Sequence, residues 1–127
     1  AIFEANGIKY SRGTITESGN RPDFLFPGSV EYQDQHFPDD RLTMLGAKST
    51  CKDRWRQVLS EATRISTKHL FTLEPAISAG QTSEMQSKNL QLVIPFGLHH
   101  TYQDSQKAWL LKLSDFIELV REREKPA

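Results

Sequence analysis

The chain has 127 residues, 37% of them hydrophobic and 25% charged, which suits one domain with its own core and leaves little room for a second. Sixteen Lys and Arg balance sixteen Asp and Glu, so no basic coat covers the whole molecule, although a local basic patch stays open. No apolar run nears the ~18 residues of a membrane helix, no basic segment leads into an apolar one as in a secretory signal, and the one cysteine, Cys51, excludes an internal disulfide framework and a cysteine-based zinc site. A reducing, cytoplasmic setting is expected. The chain starts at Ala1 and runs at once into a strand-and-turn pattern, so residues 1–127 are expected to be a single domain lacking an N-terminal portion.

The balanced total hides a division. Residues 1–40 hold seven acids and three bases, residues 41–68 seven bases and two acids, and residues 69–127 six bases and seven acids. The middle is a basic island, which either lines a solvated helix face or serves an anion.

Gly7, Gly13 and Gly19 interrupt residues 1–20 and predict short strands joined by turns. Residues 22–28, PDFLFPG, read as one short strand between two prolines, with Asp23 at its entrance. Residues 29–40 read as a polar loop. Residues 41–50 read as a second strand, with Lys48 at its far end. Asp53 is a candidate N-cap for a helix over 54–65, where Trp55, Val58, Leu59, Ala62 and Ile65 make one apolar stripe and Glu61 falls on its shoulder. Strands follow over 68–73 and 90–96, separated by a polar helix or turn over 78–88. The last segment, 105–124, has a helical pattern in which Ser114 offers an alternative start, leaving 109–112 as a connection. This order predicts an α/β or α+β sandwich around a mixed sheet.

Asp23, Lys48 and Glu61 are the constellation with chemical promise. Two neighbouring strands and the helix packed on them can bring the three together. Two carboxylates plus a backbone carbonyl form a hard oxygen site suited to Mg²⁺, and a lysine beside them can stabilise charge developing on a phosphate. By spacing alone the triple is weak, because an Asp before a strand and a Glu on a helix shoulder are common.

The local text is more specific. Pro22-Asp23 followed by a strand ending Gly46-Ala47-Lys48 has the layout of the PD-(D/E)xK nucleases, with Gly46 in the place of the second acid. The run LGAKSTCKDRWRQ over 45–57 closely resembles the catalytic domain of the EcoRII-type type II restriction endonucleases and their PspGI relatives. The likeness continues through DRLTML at 40–45, KHL at 68–70, LEPAIS at 73–78, Glu84-Met85-Gln86 and Val93-Ile94-Pro95. It covers most of residues 22–120. It implies a restriction-endonuclease-like three-layer sandwich with a central mixed sheet flanked by helices. It further implies Mg²⁺-dependent hydrolysis of double-stranded DNA at a short CC-containing site, by an intact enzyme that is a homodimer. Residue by residue, it implies that Asp23 and Glu61 are metal ligands, with Glu61 supplied from the helix, and that the Ala47 carbonyl is a further ligand. Lys48 would be the catalytic lysine, Lys52 and Arg54 would meet the phosphate backbone or hold the carboxylates, and Tyr32 would belong to the same site.

Each residue has a plainer alternative. Asp23 could be a turn residue after Pro22, Lys48 an exposed strand end, Tyr32 a loop tyrosine, and Glu61 an ion-pair partner of Arg54 or Arg64. Lys52 and Arg54 in a first helical turn oppose the helix dipole, which asks for an anion nearby. Cys51 could have a lowered thiol pKa near a helix start, although packing suits it better. His99 and His100, as neighbours at a strand end, would face opposite ways and make poor joint ligands. Trp55 belongs to the core. Two rival functions remain: a nuclease-like module that binds DNA without cutting, and a repair or junction-resolving nuclease of the same superfamily.

Overall fold

The computed structural model describes residues 2–13, 22–52 and 54–125. Gly19 and the Asp53 cap lie outside the described residues. Among the described residues, five strands form one sheet in the order β1-β2-β3-β4-β5: β1 (Ser11–Arg12), β2 (Phe24–Phe26), β3 (Thr43–Ala47), β4 (Lys68–Phe71) and β5 (Leu90–Val93). β2 runs antiparallel to both β1 and β3, and β3, β4 and β5 run parallel. The sheet is mixed, as expected, because hairpin-like connections early in the chain give way to crossovers through helices.

Period-two alternation sends side chains to both faces. Leu25, Met44, Leu70, Leu90 and Leu92 point to one side, where Trp55 and Val58 of α3 (Trp55–Val58) and Met85 of α4 (Ala79–Ser87) cover them. Phe26, Leu45 and Val93 point to the other, against Phe3 of α1 (Ile2–Ala5) and Phe116, Ile117 and Val120 of α6 (Leu113–Glu124). Helices, sheet and helices make three layers around two apolar seams. Among the described residues, no helix is long and apolar enough to cross a membrane.

Several elements differ from expectation. Residues 2–5 are helical, and Gly7, at φ +68°, ends that turn. Residues 29–40 are not one loop. They hold α2 (Ser29–Gln33) and a 3₁₀ turn at Asp39–Arg41. The fifth strand stops at Val93, and Phe96–Thr101 form a 3₁₀ turn, so His99 and His100 are not at a strand end. The C-terminal pattern splits into α5 (Asp104–Lys107) and α6, and the Ser114 alternative is the better one.

The largest correction concerns the helix over 54–65, of which only α3 keeps α-helical form. The amides of Leu59, Ser60 and Glu61 donate to Arg56, Gln57 and Val58, three residues back, and the Ser60 hydroxyl also takes the Gln57 carbonyl. In such tight turns, side chains three apart eclipse. Trp55, Val58 and Glu61 therefore stack on one inward side, and Ala62 follows in the left-handed region at φ +49°.

Candidate active site

Asp23 immediately precedes β2. The antiparallel register pairing Phe24 with Leu45 brings it to the carboxyl end of β3, where its Oδ2 accepts from the Ala47 amide at 2.7 Å. Lys48 follows β3, and its amide donates to the Phe71 carbonyl at 3.1 Å, prolonging the parallel ladder. Asp23 and Ala47 line an open cleft together with Arg12, Gly13 and Phe24.

Glu61 arrives from the turn after α3, not from the helix itself. It is 8% exposed, and its Oε1 finds no hydrogen-bond partner among the described residues. Burial pushes its carboxyl up to about 7. The Lys48 and Lys68 ammonium groups draw it back down, and the Asp23 carboxylate raises it further. Asp23 and Lys48 thus both stand within electrostatic reach of Glu61.

Gly46 leaves little space for a side chain on β3. A Cβ there would lie 3.3 Å from Val58 Cγ2 and 3.5 Å from Leu70 Cδ1. The strand face at this position is closed by α3, so a carboxylate at 46 would be pressed into hydrocarbon. The turn beyond α3 reaches the same neighbourhood with Glu61.

The donor set suits a divalent cation. A buried carboxylate oxygen without a donor is costly unless a proton or cation meets it. Two carboxylates and a carbonyl are the hard ligands that Mg²⁺ takes, with water filling the remaining positions. Among the described residues, no group of three or more His, Cys, Asp or Glu is gathered for a metal, so the Ala47 carbonyl and water would complete such a shell.

The basic island separates into two sets. Arg41 donates to the Glu124 carbonyl, Arg56 pairs with Glu84 at 2.8 Å, Arg64 pairs with Asp39, and the Lys68 ammonium donates to the Ala62 carbonyl at 2.8 Å. These four serve the fold. Lys52 and Arg54 are exposed and make no ion pair among the described residues. The loop carrying them is pinned elsewhere: the Cys51 amide donates to Glu74 Oε1 at 2.9 Å, and Gln81 Nε2 donates to the Lys52 carbonyl at 2.6 Å.

Tyr32 is buried, and its hydroxyl accepts from the Arg64 amide at 3.2 Å, three residues after Glu61. The Arg64 guanidinium donates to the Tyr32 and Phe37 carbonyls and crosses the Tyr32 ring. Arg64 is thereby committed to the 31–39 segment and does not pair with Glu61. Cys51 is fully buried, and burial first, then the Glu74 charge, push its thiol up to about 11, the opposite of an activated cysteine. Trp55 is core, with the Arg56 guanidinium 4.4 Å from its ring centre.

Two residues of this region escaped the sequence. Arg12 lines the Asp23 cleft because β1 pairs with β2, and its place just before Gly13 in an acid-rich third was the available signal. Lys68 is 5% exposed. Its signal was alternation, because it shares a strand face with Leu70.

The model of the family described as EcoRII C terminal matches residues 1–117. The type II restriction enzyme EcoRII of Escherichia coli is 44% identical over 117 residues, which is 91% of this chain and 29% of that protein. Two structures of metal-depleted Ecl18kI share the fold: one in complex with uncleaved, modified DNA (TM-score 0.80) and one with uncleaved DNA (TM-score 0.78). Each is 21% identical and is matched over 97% of this chain and 41% of its own. The chain therefore spans well under half the length of these relatives.

Proposed function

The chain belongs to the EcoRII C-terminal family, and from that premise we propose that residues 1–127 are the catalytic domain of a type II restriction endonuclease that hydrolyses double-stranded DNA with Mg²⁺. The observation that carries this reading is the meeting of Asp23, Lys48 and a buried Glu61 whose Oε1 lacks a donor. A module kept only for binding has no need to bury such a carboxylate.

Asp23, Glu61 and the Ala47 carbonyl would hold the cation. When bound, it neutralises phosphate charge and makes water more acidic. The Asp23 bond to the Ala47 amide fixes one carboxylate oxygen and leaves the other for the cation. Lys48 donates to a nonbridging phosphate oxygen and stabilises the charge that grows there as water attacks in line. The bond from phosphorus to the 3′ oxygen breaks, that oxygen takes a proton, and the products carry a 5′-phosphate and a 3′-hydroxyl. Lys52 and Arg54, exposed on their pinned loop, bind flanking phosphates. Tyr32 supports the Glu61 turn through the Arg64 amide. The target is a short site beginning with CC, cut by a homodimer, since a nearly palindromic site presents two scissile bonds related by symmetry. The setting is the cytoplasm of a bacterial or archaeal cell.

The test is nicking of supercoiled plasmid with Mg²⁺, beside Lys48→Ala, Glu61→Ala and an EDTA control. The expected result is metal-dependent cutting lost in both variants, with unchanged circular dichroism. Cutting retained by either variant removes that residue from the mechanism, and metal-independent cutting refutes the reading.

A further inference from the structure

Lys68 is an ionisable group buried in an apolar seam, and it has no part in the chemistry just described. It opens β4, the strand held between β3 and β5, and its amide donates to the Asn89 carbonyl at 2.9 Å. Its side chain leaves the sheet on the face that α3 covers and is 5% exposed. Removing an ammonium from water is costly unless its hydrogens find acceptors. Here they find carbonyls of one short segment: Nζ donates to the Ala62 carbonyl at 2.8 Å and also to that of Ile65.

That segment begins with Glu61. It has no regular helix to stiffen it, because α3 ended at Val58 and Ala62 turns left-handed. The Ala62 carbonyl accepts from both the Ile65 amide and Lys68. Without the ammonium, two carbonyls in a buried turn lose a donor, and the turn loses its charged anchor on β4. The same charge also acts on the Glu61 carboxylate across this short span.

We propose that Lys68 is a positioning residue of the metal site: anchored on β4, it fastens the turn after Glu61 through the Ala62 and Ile65 carbonyls and so sets where the Glu61 carboxylate stands. This rests on Glu61 being a metal ligand.

The test is Mn²⁺ affinity of the 127-residue chain by calorimetry, without DNA. Glu61→Ala is the reference for loss of the site. Val120→Ala, in the seam on the opposite face of the sheet, is the control for lost stability. Lys68→Met is expected to weaken Mn²⁺ by about tenfold or more, as removal of a ligand's supporting contact does elsewhere. Lys68→Arg, which keeps charge and donors, is expected to recover much of that loss. Val120→Ala, although it melts earlier, is expected to keep the wild-type affinity. If Lys68→Met does not fold, Lys68→Gln takes its place under the same criteria. Mn²⁺ affinity within about twofold of wild type in the Lys68 variant, or equal weakening in Val120→Ala, overturns the inference and leaves the metal site standing. Failure of the wild-type chain to bind, or full binding by Glu61→Ala, overturns the metal-site reading and this inference with it.

Discussion

A carboxylate buried at 8% exposure beside one other acid and two lysines makes stability depend on pH in a stated direction. Its pKa of about 7 lies above the usual carboxylate value of 4.5, so the folded chain holds this proton more tightly than the unfolded one. Below about pH 4 both states are protonated and Glu61 costs nothing. Above about pH 7 both are charged, and the full cost of burying the charge is present. Stability is lost between those limits as pH rises. We expect Glu61→Gln to stabilise the metal-free chain by roughly 2–3 kcal/mol at pH 8 and by almost nothing at pH 4. Urea unfolding of both proteins in EDTA at the two pH values measures this. Equal stability at pH 8 would mean that Glu61 is more hydrated than its burial indicates.

At the scale of elements, the contact between β3 and α3 governs the layout of the site. Gly46 lies under Val58, so the strand position that would hold the second acid has no room for it. Gly46→Glu is expected to destabilise the fold by about 3 kcal/mol or more, through overpacking and a buried charge, and not to rescue cleavage in Glu61→Ala. Thermal melting and plasmid nicking of the single and double variants check this. An intact melting temperature with restored cutting would show that α3 can yield and that the acid's place is interchangeable. An ideal helix over 54–65 would place Glu61 on the shoulder of the stripe, whereas three-residue turns bring it under Trp55 and Val58 and inside.

For the whole molecule, the cleft at the carboxyl end of β3 offers DNA few free cations. Arg12 lines it, Lys48 follows β3, Lys52 and Arg54 are exposed on the loop beyond, and the remaining bases of the island are tied into the fold. With about four phosphates neutralised at most, the logarithm of affinity should fall against that of salt with a slope no steeper than about −4. We expect the 127-residue chain to bind duplex DNA weakly and without sequence choice. Fluorescence anisotropy with CC-containing and scrambled duplexes across a salt series measures both quantities. Selective binding by this chain would place a complete base-reading surface within residues 1–127.

The strands β2, β3 and β4, the polar helix α4 and the core role of Trp55 were legible because apolar alternation and bounding prolines are local features, set by side chains and their near neighbours. Asp23 and Lys48 could be read as candidates for the same reason, since each marks a strand end and the local text around them carries a family pattern. Most of the places where the sequence fell short depend on contacts between residues far apart in the chain. Which bases of the island are free was decided by Glu84, Asp39 and the C-terminal carbonyls that take up the others. The length of α3 goes with local competition for carbonyls, in which the Ser60 hydroxyl and three-residue turns take the acceptors after Arg56. The inward side of Glu61 followed from that shortened helix. Periodicity determined a sandwich around a mixed sheet, because burying an apolar stripe needs no particular partner, and the three-layer form was implied by the family likeness. Only the tertiary structure decided where the charges stand, because a buried charge is settled by the acceptors and opposite charges that the fold brings to it.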